Sequence, residues 1–107
     1  MLAPLHVEAK ALKRCSPAAV NLYLKALLRM MDKSDGRVRG PRRTMLSWAV
    51  TEVGLVKARG ALPRPLQHQE VVRLLDELVI AGAVENFGDA TELHLVLVHR
   101  KPGMVAA

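Results

Sequence analysis

The spacing of apolar residues predicts three main helices. Ser16-Pro17 starts the first, because Ser caps a helix N-terminus and Pro at the first helical position loses no hydrogen bond. The polar residues of this helix form one narrow stripe, so it is apolar over most of its circumference as far as Met31 or Asp32. This surplus of apolar surface predicts either a partner chain or a docked N-terminal helix.

Two further helices follow the same periodicity. One covers about residues 42–53 and ends at Gly54, a residue type that suits helix termination. The other covers about 67–81 and ends at Gly82. Between them, the Gly- and Pro-containing segment 55–66 predicts a loop with a short extended piece.

Alternating apolar residues predict a C-terminal hairpin, with strands at about 83–87 and 92–99 and Gly88-Asp89 in its turn. Val38, between two arginines, predicts a strand of a single bridge. The order of elements indicates an α+β fold that is mainly α. We interpret it as a winged helix-turn-helix of three helices and a C-terminal β-hairpin wing, with a short additional helix at the N-terminus.

Length and composition fit one domain. The chain has 107 residues, of which half are hydrophobic. We divide it into an N-terminal arm or short helix (1–15), a winged-helix domain (16–101) and a tail (102–107). A single cysteine, no apolar run of membrane-spanning length and no signal-peptide layout lead us to expect a cytoplasmic, nucleoid-associated protein.

The net charge of +6 is unevenly distributed. Residues 1–64 carry 13 basic and 4 acidic residues, a net charge of +9, and residues 65–107 carry a net charge of −3. The basic part predicts a polyanionic partner, and the acidic part predicts a partner of another kind. The alternative is a protein that is merely soluble and basic.

Arginines between the first two helices are the strongest functional signal. Their planar guanidinium groups match phosphate oxygens in pairs, and a helix N-terminus beside them adds backbone N–H groups. The alternative is a solvated loop whose arginines pair with the acidic half. The predicted DNA-backbone contacts are Arg37, Arg39, Arg42, Arg43, Lys57, Arg59 and Arg64.

The exposed start of the third helix is the predicted base-reading segment, since Gln can pair with adenine and Arg with guanine in the major groove. The alternative is an ordinary polar helix face, because Glu70, Asp76 and Glu77 on this helix would repel phosphates. Arg100 and Lys101 could touch a phosphate after the second hairpin strand. The predicted base contacts are Gln67, His68, Gln69 and Arg73.

Four stretches carry a family resemblance. Tyr-Leu-Lys-Ala-Leu-Leu (23–28) and Asp-Gly-Arg-Val (35–38) precede Val-Val-Arg-Leu-Leu-Asp-Glu-Leu (71–78) and Ala-Gly-Ala-Val-Glu (81–85). They resemble the first helix and turn, and the third helix and wing entry, of the N-terminal winged-helix domain of phage replisome organisers and DnaD-like replication initiation proteins. The resemblance covers roughly residues 18–100 and implies a double-stranded DNA partner.

Enzymatic chemistry is not indicated. The four histidines and Cys15 lack the spacing of metal ligands, and His94 and His99 point to opposite faces of a predicted strand. We therefore expect no cofactor and no metal. Trp48 on the second helix is expected to fill the core or an interface rather than to stack on a base.

Two functional hypotheses follow. The first is a small homodimeric DNA-binding protein of a bacterium or mobile element, acting in replication initiation or transcriptional regulation. The second is a winged-helix subunit or adaptor of a larger complex, whose acidic third helix and wing dock a basic protein partner. For the homodimer, the predicted interface residues on the first helix are Leu22, Leu28, Met30 and Met31.

Overall fold

The computed structural model describes residues 6–57 and 60–100, and its fold is α+β. About half of the chain is helical, and a small antiparallel sheet completes the fold. The predicted class, α+β and mainly α, is therefore confirmed. Of the predicted features, the tail at 102–107, Arg59 and Lys101 lie outside the described residues.

The described chain contains four helices and five strands. The helices are α1 (His6–Leu12), α2 (Pro17–Leu22, continued by a π-helix over Tyr23–Leu27 and an α-helix over Leu28–Met30), α3 (Arg42–Val53) and α4 (His68–Ile80). The strands are β1 (Arg37–Pro41), β2 (Leu55–Val56), β3 (Arg64–Pro65), β4 (Val84–Asn86) and β5 (Glu92–Leu97). A 3-10 turn, Val98–Arg100, follows β5. Within the described ranges, no helix has the length and apolar character that crossing a membrane requires.

Helix α2 begins as its sequence predicts. Ser16 Oγ accepts a hydrogen bond from the Ala19 N–H at 3.3 Å, and Pro17 occupies the first helical position. The π-helical stretch in the middle of α2 is a departure that the apolar pattern did not indicate. There the Leu28 N–H donates to the carbonyl of Tyr23, five residues earlier, which widens this turn of the helix.

Helix α1 covers part of the apolar surface of α2. Ala11 and Leu12 belong to the same buried cluster as the apolar residues of α2. Glu8 is fully buried, and its carboxylate accepts a hydrogen bond from the Tyr23 hydroxyl. Of the two explanations predicted for the apolar surplus of α2, the docked N-terminal helix is therefore present.

The residues predicted as a dimer interface lie inside the protein instead. Leu22 has 0% of its surface exposed, and Leu28 and Met31 are buried. Met30 is half-buried and packs against the same core. A second copy could not reach Leu22 without opening the core, so the predicted interface is wrong. The error arose because the pattern on α2 does not show that α1 covers it.

The main sheet has the strand order β1-β5-β4, and both pairs are antiparallel. Val38 pairs with Leu95, and Val84 pairs with Leu97; all four side chains are buried. The hairpin strands β4 and β5 lie within the predicted ranges. Strand β1 is longer than the predicted single bridge, because five of its residues pair with β5, far along the chain.

Helices α3 and α4 pack against each other and against α2 and the sheet. Both end where the sequence predicts, at glycines whose positive φ (76° at Gly54 and 83° at Gly82) strains other residue types. The connection 54–67 contains β2 and β3, which pair as the predicted short extended piece. Buried side chains from the two helices are Met45, Leu46, Ala49, Val53, Val71, Leu75 and Leu78.

Candidate nucleic-acid interface

The four clustered arginines of the sequence fall into two groups. Arg37 and Arg39 lie on β1, on either side of the buried Val38. Because alternate side chains of a strand point to opposite faces, both arginines lie on the outer face of the sheet. Arg42 and Arg43 begin α3 and lie where the chain leaves the sheet.

The two sheet arginines have partners on β5. The Arg37 guanidinium lies 2.7 Å from His94 Nε2, and Arg39 Nε donates to Glu92 Oε1 at 2.8 Å. The Arg39–Glu92 pair is well exposed, so it adds little stability, but Glu92 offsets the charge that Arg39 can offer to a phosphate. Arg39 therefore pairs with a residue of the acidic part of the chain, Glu92, as the alternative to phosphate binding predicted.

The two helix arginines line a surface cavity of about 350 Å³, which we call the arginine cavity. Three segments meet there: the start of α3, the start of α4 and the loop between β4 and β5. The Arg42 N–H donates to the Thr91 carbonyl at 3.0 Å, which fixes the loop against α3. The lining residues are Pro41, Arg42, Arg43, Leu46, His68, Ala90 and Thr91. The cavity therefore brings two predicted backbone contacts together with one predicted base contact, His68.

Helix α3 begins at this cavity without a side-chain cap, because Pro41 precedes it and no side chain accepts from its first turn. The Arg43 side chain has no hydrogen bond or ion pair within the described ranges. The Arg42 N–H is used by the Thr91 carbonyl, but the N–H groups that follow it in the first turn and the guanidinium groups together attract an anion. The start of α3 is thus suited to a phosphate group.

The loop between β4 and β5 is organised by Asp89. Its Oδ1 accepts hydrogen bonds from the N–H groups of Thr91 (2.8 Å) and Glu92 (2.9 Å) and from the Thr91 hydroxyl (2.9 Å). The bond from the Thr91 N–H is the largest cause that lowers the pKa of Asp89. This carboxylate holds the loop that forms one side of the arginine cavity.

At the start of α4, Glu70 has a structural partner that the sequence did not indicate. Its carboxylate receives two bonds from the Arg64 guanidinium, at 2.6 and 2.8 Å, and one from the Gln67 N–H at 3.0 Å. In return, the Glu70 backbone N–H, at the third position of the helix, donates to the Gln67 side chain. The two reciprocal bonds form a capping box. Bonding to Arg64, then to Gln67, lowers the pKa of Glu70 to about 2.

This arrangement changes the roles predicted for three residues. Arg64 is occupied by Glu70, so it is less available to phosphate than predicted, and Gln67 caps α4 rather than standing free. The presence of Glu70 in the predicted base-reading segment has a structural explanation, because its carboxylate caps α4 and neutralises Arg64.

The remaining predicted base contacts lie on the exposed side of α4. Gln69 and Arg73 are exposed and are four residues apart, so they share one face of the helix. His68 is half-buried, and its Nε2 lies 3.1 Å from the hydroxyl of Ser47 on α3. Lys57 is exposed after β2 and lines no part of the arginine cavity.

Arg100 is not available for phosphate, contrary to the prediction. It donates to both oxygens of Glu8, at 3.0 and 2.8 Å, and its side chain is almost completely buried. The hydrogen bond to Glu8 is the largest cause that raises its pKa. This buried ion pair joins the 3-10 turn after β5 to α1. Nothing in the local sequence pairs residues 92 positions apart.

Two further predicted features have a different setting from the expected one. Trp48 has 57% of its surface exposed, so of its two predicted roles it does not fill the core, and a role at an interface stays a prediction. Glu77, which was predicted to dock a protein partner, instead accepts hydrogen bonds from the Ser16 N–H and from Ser16 Oγ (3.0 Å). Asp76 remains exposed on α4.

Within residues 6–57 and 60–100, no three His, Cys, Asp or Glu side chains come together as a metal ion would require. Comparisons of the chain with protein-family models, with curated proteins and with solved structures gave no match. The functional argument therefore rests on the charge, burial and geometry described above.

Proposed function

We propose that this chain is a winged-helix protein that binds double-stranded DNA, and that it acts in replication initiation or transcriptional regulation in a bacterium or mobile element. The observation that carries the proposal is the arginine cavity. There Arg42, Arg43 and His68 meet at an uncapped helix start, on a chain with a net charge of +6. Basic residues gathered on one surface are the electrostatic signature of a DNA-binding domain.

The order and pairing of elements support the winged-helix interpretation. Helix α2, strand β1, helices α3 and α4 and the β4–β5 hairpin follow one another, and β1 joins the hairpin through β5. In this interpretation α4 is the recognition helix and the β4–β5 loop is the wing. The connection between α3 and α4 is longer than the three- or four-residue turn of a typical helix-turn-helix.

The proposed contacts have two kinds of role. The Arg42 and Arg43 side chains, with the first-turn N–H groups of α3 that follow Arg42, hold phosphates and give affinity without sequence selectivity. Gln69 and Arg73 on the exposed face of α4 read base edges in the major groove, with His68 beside the backbone. Arg37 and Arg39 contribute less, because they already have partners on β5.

The test compares two double variants that remove the same charge. Arg42→Ala/Arg43→Ala removes the arginines of the cavity, and Arg37→Ala/Arg39→Ala removes those of the sheet. Binding to a fluorescent DNA duplex is measured by anisotropy over a range of salt concentrations. Because each lost phosphate contact reduces the slope of log K against log salt by about 0.9, the first variant loses up to ~1.8 and the second loses less.

Two results would refute the proposal. One is a wild-type chain that shows no duplex binding at low salt. The other is an Arg42→Ala/Arg43→Ala variant that keeps the affinity and salt slope of the wild type. Thermal unfolding of each variant checks that the fold is retained.

A protein-docking role is the second candidate function, and the exposed end of α4 favours it. Ile80 has 87% of its surface exposed, and the partly exposed Val79 and the exposed Asp76 are on the same helix. An apolar residue so exposed is typical of an interaction surface when others adjoin it. The variant Asp76→Lys tests this role without disturbing the Glu77 contact to Ser16. A partner complex that survives Asp76→Lys and Ile80→Ser would count against it.

A further inference from the structure

A second surface, distinct from the arginine cavity, lies between α2 and the end of α3. It is a groove of about 890 Å³, which we call the α2–α3 groove. Its apolar lining is Leu24, Leu28 and Val53, its basic lining is Lys25, Arg29 and Lys33, and its one acidic lining residue is Glu52. It shares no lining residue with the arginine cavity.

The two surfaces lie at opposite ends of α3. Arg42 and Arg43 are in its first turn, and Val53 is its last residue. At a rise of 1.5 Å per residue, the two ends are about 16 Å apart. A ligand of the arginine cavity therefore need not fill the α2–α3 groove.

The basic charges of this groove are largely available. Arg29 donates to Glu52 at 3.0 Å, but the pair is well exposed and therefore weak. Lys25 and Lys33 are exposed, and neither makes an ion pair within the described ranges. The groove thus presents a net positive charge around its apolar lining.

The apolar lining is partly accessible. Leu24 has 36% of its surface exposed, whereas Leu28 and Val53 are buried beneath the groove. Leu24 and Lys25 belong to the π-helical stretch Tyr23–Leu27. π-Helical stretches are rare in proteins, and those that occur are often found at functional sites. This one lies at the α2–α3 groove rather than at the arginine cavity.

We propose that the α2–α3 groove docks an acidic amphipathic helix of a partner protein. The apolar face of that helix packs on Leu24 above Leu28 and Val53, and its carboxylates lie beside Lys25 and Lys33. A groove between two helices suits a third helix with anchors at helical spacing. Charge complementarity selects an acidic partner, and the apolar lining favours a protein over nucleic acid, whose phosphates would not use it.

The test uses the full chain and a fluorescent synthetic peptide of Leu and Glu with Leu at helical spacing. A second peptide carries Lys at every Glu position. Fluorescence anisotropy is expected to show binding of the Glu peptide and none of the Lys peptide. Lys25→Glu/Lys33→Glu replaces two exposed attractive charge pairs by repulsive ones. The affinity for the Glu peptide should therefore fall roughly tenfold.

Matched controls separate this site from general attraction between charges. Lys10→Glu/Lys13→Glu makes the same change of net charge at the end of α1 and the turn after it, and should leave the affinity within about twofold. Leu24→Asn keeps the net charge but removes apolar contact, so it should weaken binding of the Glu peptide several-fold. Unchanged thermal unfolding shows that each variant is folded.

Two outcomes would overturn the proposal. One is equal loss of peptide binding in Lys25→Glu/Lys33→Glu and Lys10→Glu/Lys13→Glu, with none in Leu24→Asn. The other is a Lys25→Glu/Lys33→Glu variant that loses duplex DNA binding as strongly as Arg42→Ala/Arg43→Ala, since the groove would then be a nucleic-acid surface. A failure of the arginine cavity to bind DNA leaves the peptide result unaffected, so the two proposals fail separately.

Discussion

At the scale of single residues, the buried charge at Glu8 has the largest structural consequence. Its carboxylate accepts hydrogen bonds from the Tyr23 hydroxyl and from Nε and Nη2 of Arg100, and it is fully buried. Burial, and then the hydrogen bond to Glu8, raises the pKa of Tyr23 above its ordinary value. Three parts of the chain, α1, α2 and the 3-10 turn after β5, are therefore joined by one polar cluster.

Glu8→Ala tests this cluster. The change removes the carboxylate that balances the buried Arg100 guanidinium, so we expect a loss of about 3–5 kcal/mol in the free energy of unfolding. Denaturant unfolding measures it. The exposed pair Arg29–Glu52 is the control, because Glu52→Ala should cost less than about 1 kcal/mol. Equal costs for the two variants would show that the buried pair does not stabilise the fold.

Glu70 gives a pH-dependent prediction. Its pKa is lowered from 4.5 to about 2, chiefly by Arg64 and then by the Gln67 N–H. The unfolded chain therefore binds a proton at Glu70 at a higher pH than the folded chain does. The stabilisation is fully present above pH 4.5 and is lost as the pH falls toward 2.

The matching measurement is urea unfolding between pH 6 and pH 2. Wild type should lose stability more steeply below pH 4.5 than Glu70→Gln, which has no proton to bind there. Asp76→Asn, on the exposed face of the same helix, is the control. Parallel pH profiles for wild type and Glu70→Gln would contradict the assignment.

The residue types of the candidate site could be predicted, but their partners could not. Arg42, Arg43 and His68 meet because the fold brings two helix starts together. Arg37 and Arg39 find partners 57 and 53 residues away on β5. Such distant pairings follow from strand register, which local sequence does not encode.

At the scale of elements, local signals predicted the ends of helices well. Ser16, Gly54 and Gly82 mark the start of α2 and the stops of α3 and α4, because capping and positive φ depend on one residue and its neighbours. The full length of β1 was not predicted, and the docking of α1 was predicted only as one of two explanations for the apolar surplus of α2. Both depend on contacts with segments distant in sequence.

The β4–β5 loop gives a prediction for one element. A Cβ on Gly88 would lie 2.5 Å from the Glu92 carbonyl oxygen and 2.9 Å from the His94 nitrogen, both of them backbone atoms. Gly88→Ala must therefore displace the loop, and we expect a cost of about 1–3 kcal/mol in thermal unfolding. Ala90→Ser, on the exposed part of the same loop, should change stability by less than about 0.5 kcal/mol. A Gly88→Ala variant as stable as wild type would show that the loop can move without cost.

At the scale of the whole molecule, the uneven charge of the sequence is partly balanced inside the fold. Arg39–Glu92 and Arg100–Glu8 join the first part of the chain to the second, and Arg64–Glu70 balances the start of α4. Among the described basic residues without such partners, Arg42 and Arg43 line the arginine cavity, and Lys25 and Lys33 line the α2–α3 groove. We therefore assign these two surfaces to two different partners.

The most direct test of this account is an NMR titration of the isotope-labelled chain with a short DNA duplex at low salt. The account predicts that backbone amide shifts change most at Arg43, His68, Gln69 and Thr91, around the arginine cavity. The amides of Lys25 and Lys33 at the α2–α3 groove should change little. Shift changes concentrated at the α2–α3 groove, or spread evenly over the basic surface, would contradict the central claim that the arginine cavity is the DNA site.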